Sequence, residues 1–307
     1  MRSSVIIPSF RSSATIRDCL ATVLAQDLGD PFEVLVADSG GDGTAEIVSR
    51  EFPGVRLLKS ASRLSAELAR NWGAREATGS VLAFIDSDCL ADRDWLRRLC
   101  VTIEGGAYDG VGGAIGNANG ANAASWAGYF CEFREFLPGG PAIDATYLTP
   151  GNVAYRRETF EKTGGFPDGY FPLEDQIFYT RLQAAGARIR FDPSIVVRHV
   201  HRSEVTTFLA HQARIGAANA RVVRALDLQG AGIASHPWLA AALLPLLATY
   251  RFGRTMAACW TQERFLMLRR PAVAGLCWLG MFGWGVGFAR GSAAEARLRR
   301  APANAAP

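Results

Sequence analysis

Paired cysteines are missing from this chain of 307 residues. The six cysteines show no C-x-x-C spacing and no pattern typical of a disulfide framework, which suits a reducing compartment. The chain runs almost directly into the apolar segment Val5-Ile6-Ile7, which leaves no room for a signal peptide. We therefore expect the bulk of the protein to be cytoplasmic. The cysteines are Cys19, Cys89, Cys100, Cys131, Cys259 and Cys277.

A basic recognition helix with interleaved aromatic residues is also absent, so nucleic acid is a poor partner for the formal net charge of +4. Charged residues make up 20% of the chain and apolar residues 49%, an ordinary globular balance. A chain of this length can hold one large α/β domain and an appendage. The arginines crowd the last fifth, which favours a membrane surface as partner: Arg251, Arg254, Arg264, Arg269, Arg270, Arg290, Arg297, Arg299 and Arg300.

The first third of the chain alternates apolar strands with amphipathic helices. We predict strands at 4–7, 33–37, 55–58 and 81–85. Between them we predict a helix from Ile16, a short helix near 44–50, and a third helix that buries Leu64, Leu68 and Trp72. This β-α-β-α rhythm indicates an α/β fold with a mostly parallel sheet, helices on both faces and right-handed crossovers.

The middle of the chain, 111–150, is rich in glycine, alanine and asparagine and predicts a strand followed by loops. Residues 151–192 return to an α/β pattern, with a helix that begins near Glu174. A strand at 195–197 leads to His199, and 205–226 predicts one amphipathic helix that would break, if anywhere, at Gly216. The helix after Glu174 should carry Ile177, Phe178 and Leu182 on its buried face.

The composition changes beyond Gly230. Residues 238–250 are uncharged but too short to span a bilayer, and 271–289 are uncharged and just long enough. Basic segments follow both stretches. A hairpin would place the first basic segment outside and a single span would place the second outside, and both cases go against the preference of basic segments for the cytoplasmic side. We therefore expect helices that lie in the membrane interface with arginines among anionic head groups; a re-entrant hairpin, or packing on the soluble part or a second subunit, are the alternatives. The change in composition therefore predicts two domains, an α/β domain at 1–229 and a helical, membrane-associated region at 230–307.

Two carboxylates, Asp86 and Asp88, follow the apolar strand at 81–85. Ligands of open α/β sheets bind at the carboxyl ends of strands, and two such carboxylates repel each other unless a cation lies between them. We interpret the pair as a divalent-metal and phosphate site. The alternative is helix capping, for which Asp92 is better placed. The following helix should bury Trp95, Leu96, Leu99 and Ile103.

Further polar residues fall where strands should end. Pro8 ends the first strand, and Asp38 precedes a glycine-rich turn where it can bind a nucleobase imide or only organise the turn. Arg70 and Asn71, on the helix before the 81–85 strand, can reach phosphate or base, or lie on a solvated helix face.

Paired acids and a histidine cluster occur later in the chain. Glu174 and Asp175 follow an aromatic, glycine-rich loop, where burial would raise a carboxylate pKa toward that of a general base; helix capping is the alternative. His199 and His201 point to opposite sides of an extended segment, so at most one of them can join Asp88 in a metal shell.

As a set, the segments VIIPSF, EVLVADSGGDGT, ARNWGAREATGSVLAFIDSDC and GGFPDGYFPLEDQIFYTRLQAAG, with the histidine after the last strand, resemble glycosyltransferase family 2, which has the GT-A fold. The resemblance covers residues 4–202. It implies transfer of a sugar from a nucleotide-diphosphate-sugar donor with inversion at the anomeric carbon.

The resemblance also implies roles for the residues above. Pro8 and Asp38 would lie at the nucleoside, with Phe10, Arg70 and Asn71 also on the donor side. Asp86 would approach the ribose or the metal, and Asp88 would bind Mn²⁺ or Mg²⁺ with His199 as a further ligand. Asp175 would be the catalytic base, with Glu174 beside it in the acceptor site.

Two departures from the family pattern narrow the expectation. Phe10 lacks the hydroxyl that the family often has at this position, and His211-Gln212-Ala213-Arg214-Ile215 lacks the tryptophan of the processive Q-x-x-R-W motif, which favours transfer of one sugar per encounter. We expect a lipid-linked or cell-envelope glycan as acceptor, at the cytoplasmic face of a membrane.

Three rival functions remain to be weighed. A polyprenyl-phosphate sugar synthase is the closest, because the basic C-terminal helices fit it equally well. A nucleotidyltransferase would need a glycine-rich basic loop after the first strand, and residues 8–17 contain no glycine. A non-catalytic membrane-bound scaffold is disfavoured because Asp38, Asp86, Asp88, Glu174 and Asp175 are all present.

Overall fold

The computed structural model describes residues 2–300, with the side chains described as far as residue 297. Contacts divide the described chain into two compact units. Unit 1 comprises 2–118 and 136–200, and unit 2 comprises 119–135 and 201–300. This division differs from the boundary at residue 230 that composition suggested, because the helix after His201 is counted with the C-terminal helices. Arg299 and Arg300, two of the basic residues of the last fifth, lie beyond the residues whose side chains are described. The tail from residue 301 lies outside the described residues altogether.

The first half of unit 1 follows the predicted alternation of strands and helices. The four strands β3-β2-β1-β4 lie side by side in this order, and all their pairings are parallel. The elements are β1 (Ser3–Ser9), α1 (Ile16–Leu24), β2 (Phe32–Asp38), α2 (Thr44–Glu51), β3 (Arg56–Lys59), α3 (Ala66–Glu76) and β4 (Val81–Ile85).

The second half of unit 1 makes the sheet mixed. The elements are β5 (Cys89–Ala91), α4 (Trp95–Glu104), β6 (Gly110–Asn117), β7 (Ile143–Asp144), β8 (Asn152–Arg156), α6 (Arg157–Lys162), α7 (Glu174–Ala184) and β9 (Ile189–His199). The sheet continues as β4-β8-β6-β9-β5, with β7 paired to β9. β8 is antiparallel to β4 and β6, and β5 is antiparallel to β9, while β6 and β9 are parallel.

Helix α3 does not bury the predicted apolar face. Leu64, Leu68 and Trp72 are only half-buried, whereas the buried face carries small and charged residues. The reason is close packing: a Cβ on Gly73 would lie 2.5 Å from Cγ2 of Ile6 in β1, so the helix approaches the sheet along its small residues. The buried residues of α3 are Glu67, Ala69, Arg70, Gly73 and Ala74.

Helix α4 buries the predicted residues, but Asp92 does not cap it. The N-cap residue is Asp94, which makes no side-chain capping hydrogen bond. Asp92 instead forms an ion pair with Arg198 of β9, with Oδ1 and Nη1 2.6 Å apart. Strand β5, which the sequence did not predict, continues the chain to Ala91 and so turns the Asp92 side chain toward β9.

Unit 2 is entirely helical in its described part. Helix α5 occupies part of the segment for which loops were predicted, and it begins where Oδ1 of Asn122 accepts hydrogen bonds from the N–H groups of Ala124 and Ser125. The predicted helix at 205–226 is confirmed and runs through Gly216 without a break. The helices are α5 (Ala123–Phe133), α8 (Val205–Ala225), α9 (Ala231–Ser235), α10 (Pro237–Ala242), α11 (Leu244–Arg269) and α12 (Pro271–Arg300).

Large apolar side chains are exposed on unit 2. On α11, five exposed and uncharged residues follow one another at i, i+4, i+7, i+11 and i+14 and so lie on one face of the helix. We call them the α11 stripe. Within the described residues, α12 is the one helix whose length and composition would let it cross a bilayer, and 44% of its most apolar stretch is buried. These features hint at membrane association. The α11 stripe consists of Leu246, Tyr250, Gly253, Ala257 and Trp260.

Candidate active site

Polar residues gather at the carboxyl ends of three neighbouring strands of unit 1. Ser9 closes β1 opposite Asp38 of β2, and its hydroxyl donates to Oδ1 of Asp38 over 2.7 Å. Asp38 is buried, and Asp86 follows β4 on the other side of β1. Because neighbouring strands lie about 4.8 Å apart, Asp38 and Asp86 are separated by roughly 10 Å. The two carboxylates therefore lie on either side of the carboxyl end of β1.

Arg70 joins two of the predicted acids. Its Nη2 lies 2.6 Å from Oδ1 of Asp86, and its Nη1 lies 2.8 Å from Oε1 of Glu174. Arg70 and Glu174 are almost fully buried, which excludes the solvated-face reading of Arg70. Gly151 leaves room for this arrangement, because a Cβ there would lie 2.8 Å from Oδ2 of Asp86. The loop after β4 and the start of α7 are thus held together by one guanidinium.

Asp175 lies in the first turn of α7, next to Glu174. Burial, and then the negative charge of Glu174, raise its pKa to about 8. Burial likewise raises the pKa of Glu174, against the opposing effect of Arg70. Oδ1 of Asp175 is buried and has no hydrogen-bond partner in the protein. A carboxyl group that titrates close to neutral pH and has a free oxygen is suited to proton transfer.

Asp88 and His199 lie together at the other end of the turn after β4. Nε2 of His199 is 3.4 Å from Oδ1 of Asp88, and Cys89 completes a group whose ligand atoms all lie within 4.8 Å of one another. The arrangement arises from the pairing of β5 with β9, in which Cys89 and His199 are directly opposite. His201 lies in unit 2 instead, against the rings of Tyr129 and Phe133.

The donor atoms of this group fit a divalent cation. A carboxylate and an imidazole are ligands that Mn²⁺ and Zn²⁺ accept, and Asp88 is open enough to receive further oxygen ligands from a substrate or water. Asp86, which the sequence also assigned to the metal, is held by Arg70. The structure therefore brings Asp88 and His199 together and gives Asp86 a cationic partner of its own.

Two other predicted residues lie at the edges of this region. Phe10 is exposed just beyond β1, with the guanidinium of Arg63 4.6 Å from its ring centroid. Both ends of the Asn71 side-chain amide bond the backbone of Phe166: Nδ2 donates to the carbonyl over 2.7 Å, and Oδ1 accepts from the N–H over 3.0 Å. Asn71 therefore fixes the loop that leads into α7.

Sequence reasoning missed Ser9, Ser12 and Cys89. Ser12 lies 2.7 Å from Ser87 through their hydroxyl oxygens, which ties the loop after β1 to the turn between the two aspartates. Serines in loops give no distinctive pattern. Cys89 directly follows Asp88 in the chain, but its pairing with His199 becomes visible only when β5 is recognised as a strand.

Comparison with known proteins identifies the family. The model of glycosyl transferase family 2 matches residues 4–164. "Glycosyltransferase AglE" of Haloferax volcanii is 30% identical over 226 residues, which covers 71% of this chain and 73% of that protein. "Pre-mycofactocin glycosyltransferase" of Mycobacterium tuberculosis is 25% identical over 71% of this chain, but only 46% of that relative is covered.

Solved structures share the fold. Mannosyltransferase PcManGT from Pyrobaculum calidifontis, in complex with GDP-Man and Mn²⁺, gives a TM-score of 0.60 at 20% identity and covers 98% of this chain and 88% of that one. S. aureus TarS 1-349 with UDP-GlcNAc gives a TM-score of 0.55 at 17% identity and covers 99% and 93% of the two chains. The mixed sheet and its helices are thus those of a GT-A glycosyltransferase. This chain belongs to glycosyl transferase family 2.

Proposed function

We propose that the protein transfers one sugar per encounter from a nucleotide-diphosphate sugar to a hydroxyl acceptor, with inversion at the anomeric carbon. The observation that carries this proposal is the bridge from Asp86 through Arg70 to Glu174. It links the turn of the two aspartates to the helix that carries Asp175. In this proposal the bridge connects a phosphate-binding end to a proton-accepting end within unit 1, and a displacement reaction needs its groups positioned in this way.

The donor nucleoside lies between Asp38 and Asp86 in this proposal. Asp38 is oriented by Ser9, so its second oxygen is available to accept from a base N–H. Pro8 lies in β1, between the two strands that lead to these carboxylates, and exposed Phe10 offers an apolar face just beyond β1. Asn71 acts at one remove in this proposal, because it holds the loop at Phe166 rather than the donor.

Asp88 and His199 would hold Mn²⁺ or Mg²⁺ at the donor diphosphate, with Asp86 next to them. A bound divalent cation supplies positive charge that stabilises the diphosphate as it leaves. Arg70 holds Asp86 in place next to this site through its ion pair, and its charge is offset by Asp86 and Glu174. The structures of PcManGT in complex with GDP-Man and Mn²⁺ and of TarS with UDP-GlcNAc support a nucleotide-sugar donor of this kind.

Asp175 takes the proton from the acceptor hydroxyl as that oxygen attacks the anomeric carbon. Its pKa is raised to about 8, and a base of this strength removes a hydroxyl proton better than an ordinary aspartate. A base at this position would serve a hydroxyl acceptor, whereas the rival polyprenyl phosphate is already ionised and needs no base. Glu174, held by Arg70, stays in place as Asp175 gains the proton.

The acceptor in this proposal is a lipid-linked or cell-envelope glycan at the cytoplasmic face of a membrane. The α11 stripe supports attachment of unit 2 to lipid, because it places exposed Leu246, Tyr250 and Trp260 on one face of the helix. Exposed Arg264 and Arg269 at the end of α11 can meet anionic head groups. All six cysteines are free thiols, in keeping with a reducing compartment.

Thermal stabilisation by nucleoside diphosphates tests the donor site, because a ligand of the folded state raises the midpoint of unfolding. We expect one nucleobase to stabilise the protein in a Mn²⁺-dependent way, and Asp88→Ala to lose that dependence. Asp175→Asn should keep the stabilisation and lose sugar transfer to an acceptor glycan. Asp168→Asn, at a neighbouring loop position, is the control for turnover. Absence of stabilisation by every diphosphate, or near-normal turnover by Asp175→Asn, would contradict the proposal.

A further inference from the structure

We infer that Asp88, Cys89 and His199 form a thiolate-containing site for a soft divalent cation such as Zn²⁺, which competes there with the harder Mn²⁺ or Mg²⁺. The inference rests on the proposed metal site and adds Cys89 to it. Its consequence is regulatory. A zinc ion bound through the thiolate occupies the place of the activating cation, and the enzyme is inhibited by soft metals.

The cross-strand pairing places the thiol correctly. Cys89 and His199 are direct partners in the antiparallel pair β5–β9, so their side chains project from the same face of the sheet. Cβ atoms of such partners lie about 4.5–5.5 Å apart, the separation from which two side chains can reach one ion. Asp88 precedes Cys89, and its carboxylate turns toward the same point.

The distances agree with tetrahedral coordination. Zinc bonds of about 2.0 Å to oxygen, about 2.05 Å to nitrogen and about 2.3 Å to sulfur imply ligand separations of about 3.3 Å between N and O and about 3.5 Å between S and O. Nε2 of His199 is 3.4 Å from Oδ1 of Asp88, and Sγ of Cys89 is 4.0 Å from the same oxygen. Closing the site on zinc therefore requires a shift of about half an ångström at sulfur.

The chemistry of the donor set decides which ions prefer it. Thiolate ligands select zinc and other soft metals, whereas Mn²⁺ and Mg²⁺ prefer carboxylate and phosphate oxygens. When a soft ion binds, the metal–sulfur bond forms and the thiol proton passes to solvent. Asp88 and His199 without Cys89 would not discriminate in this way, so Cys89 is the residue that determines the metal specificity.

Cadmium alone is the probe, because a cadmium–thiolate bond adds a charge-transfer band in the ultraviolet. We expect the purified wild type to show this band and to bind Cd²⁺ tightly by titration. Cys89→Ser should lose the band, and its Cd²⁺ affinity should fall at least about tenfold. Its affinity for Mn²⁺, measured from the thermal stabilisation with nucleoside diphosphate, should change less than about threefold. The matched control is Cys100→Ser, another buried cysteine of unit 1 outside the site.

Asp88→Asn provides a second variant, because Asp88 is partly exposed and the substitution is isosteric. It should also weaken the cadmium–thiolate band if the three residues share one ion. A band that persists in Cys89→Ser, or that is lost equally in Cys100→Ser, would overturn the inference. In that case an intact Mn²⁺-dependent nucleotide stabilisation would leave the proposed function standing. If the wild type bound neither Mn²⁺ nor Cd²⁺, both the proposed metal site and the inference about Cys89 would be overturned.

Discussion

The guanidinium of Arg70 donates to the carboxylate of Glu174 over 2.8 Å, although 104 residues separate them in the chain. Both side chains are almost fully buried. A buried ion pair contributes little net stability, but removing one partner leaves an uncompensated charge in the interior. Arg70 thus makes the presence of Glu174 in the core tolerable, and Glu174 in turn fixes the start of α7.

Arg70→Ala should lower the free energy of unfolding by about 3–5 kcal/mol, because Glu174 would be buried without a partner. Urea denaturation followed by circular dichroism measures this loss. Arg75→Ala, on the same helix but exposed, should change stability by less than about 0.5 kcal/mol. An equally small effect of Arg70→Ala would show that the ion pair of Arg70 and Glu174 is not needed for the stability of the fold.

Asp175 should make stability depend on pH. Its pKa is raised from 3.8 to about 8 in the folded protein, so the folded state binds the proton more tightly than the unfolded state. The stabilisation is complete below about pH 4 and is lost as the pH rises through 8. Between about pH 6.5 and about pH 9 the wild type should lose about 2 kcal/mol more than Asp175→Asn. Parallel pH profiles of the two proteins would rule out the raised pKa.

Glycines should decide the packing of α8 against α12 in unit 2. A Cβ on Gly216 would lie 2.0 Å from the carbonyl oxygen of Trp284, and one on Gly287 would lie 1.9 Å from that of Ala213. Alanine at either position should therefore destabilise unit 2 by about 1–3 kcal/mol. Gly253→Ala is the matched control. Gly253 lies in α11 with nothing within 4 Å of its Cβ position, so alanine there should stabilise by about 0.5–1 kcal/mol.

The α11 stripe should mediate binding to lipid vesicles that contain anionic phospholipid. Replacing Tyr250 and Trp260 together by serine removes two exposed aromatic side chains and should weaken co-sedimentation at least about tenfold. Val101→Ser removes an exposed apolar side chain of unit 1 and should have no effect. Added salt should weaken binding of the wild type through the arginines. Equal co-sedimentation of all three proteins would argue that another surface, or none, meets the membrane.

The local patterns of the sequence predicted what depends on local contacts. The strands β1 to β4, the buried face of α4 and the start of α7 at Glu174 all follow from periodicity and apolar runs. The acids at the strand ends were predicted from the rule that ligands bind there. The comparisons confirm the family that these motifs resemble.

The features that periodicity missed depend on distant residues. Arg70 is buried because its partner Glu174 lies on α7. The sequence pattern of α3 alone would instead place a charged residue on the solvent-exposed face of the helix. Strand β5 has only three residues and becomes regular through its pairing with β9. Helix α5 begins within a segment rich in glycine and alanine, where the capping by Asn122 gives a weaker signal than the surrounding turn residues.

The pairing of β5 with β9 has a consequence for biosynthesis. Residues 89–91 are synthesised about a hundred residues before β9, the strand with which β5 is paired in the sheet. Contacts between distant segments form late because closing the intervening chain costs entropy. The turn that holds Asp88 therefore acquires its final shape only after nearly two thirds of the chain has been translated. A nascent chain therefore cannot bring Asp88 and His199 together before β9 has been made.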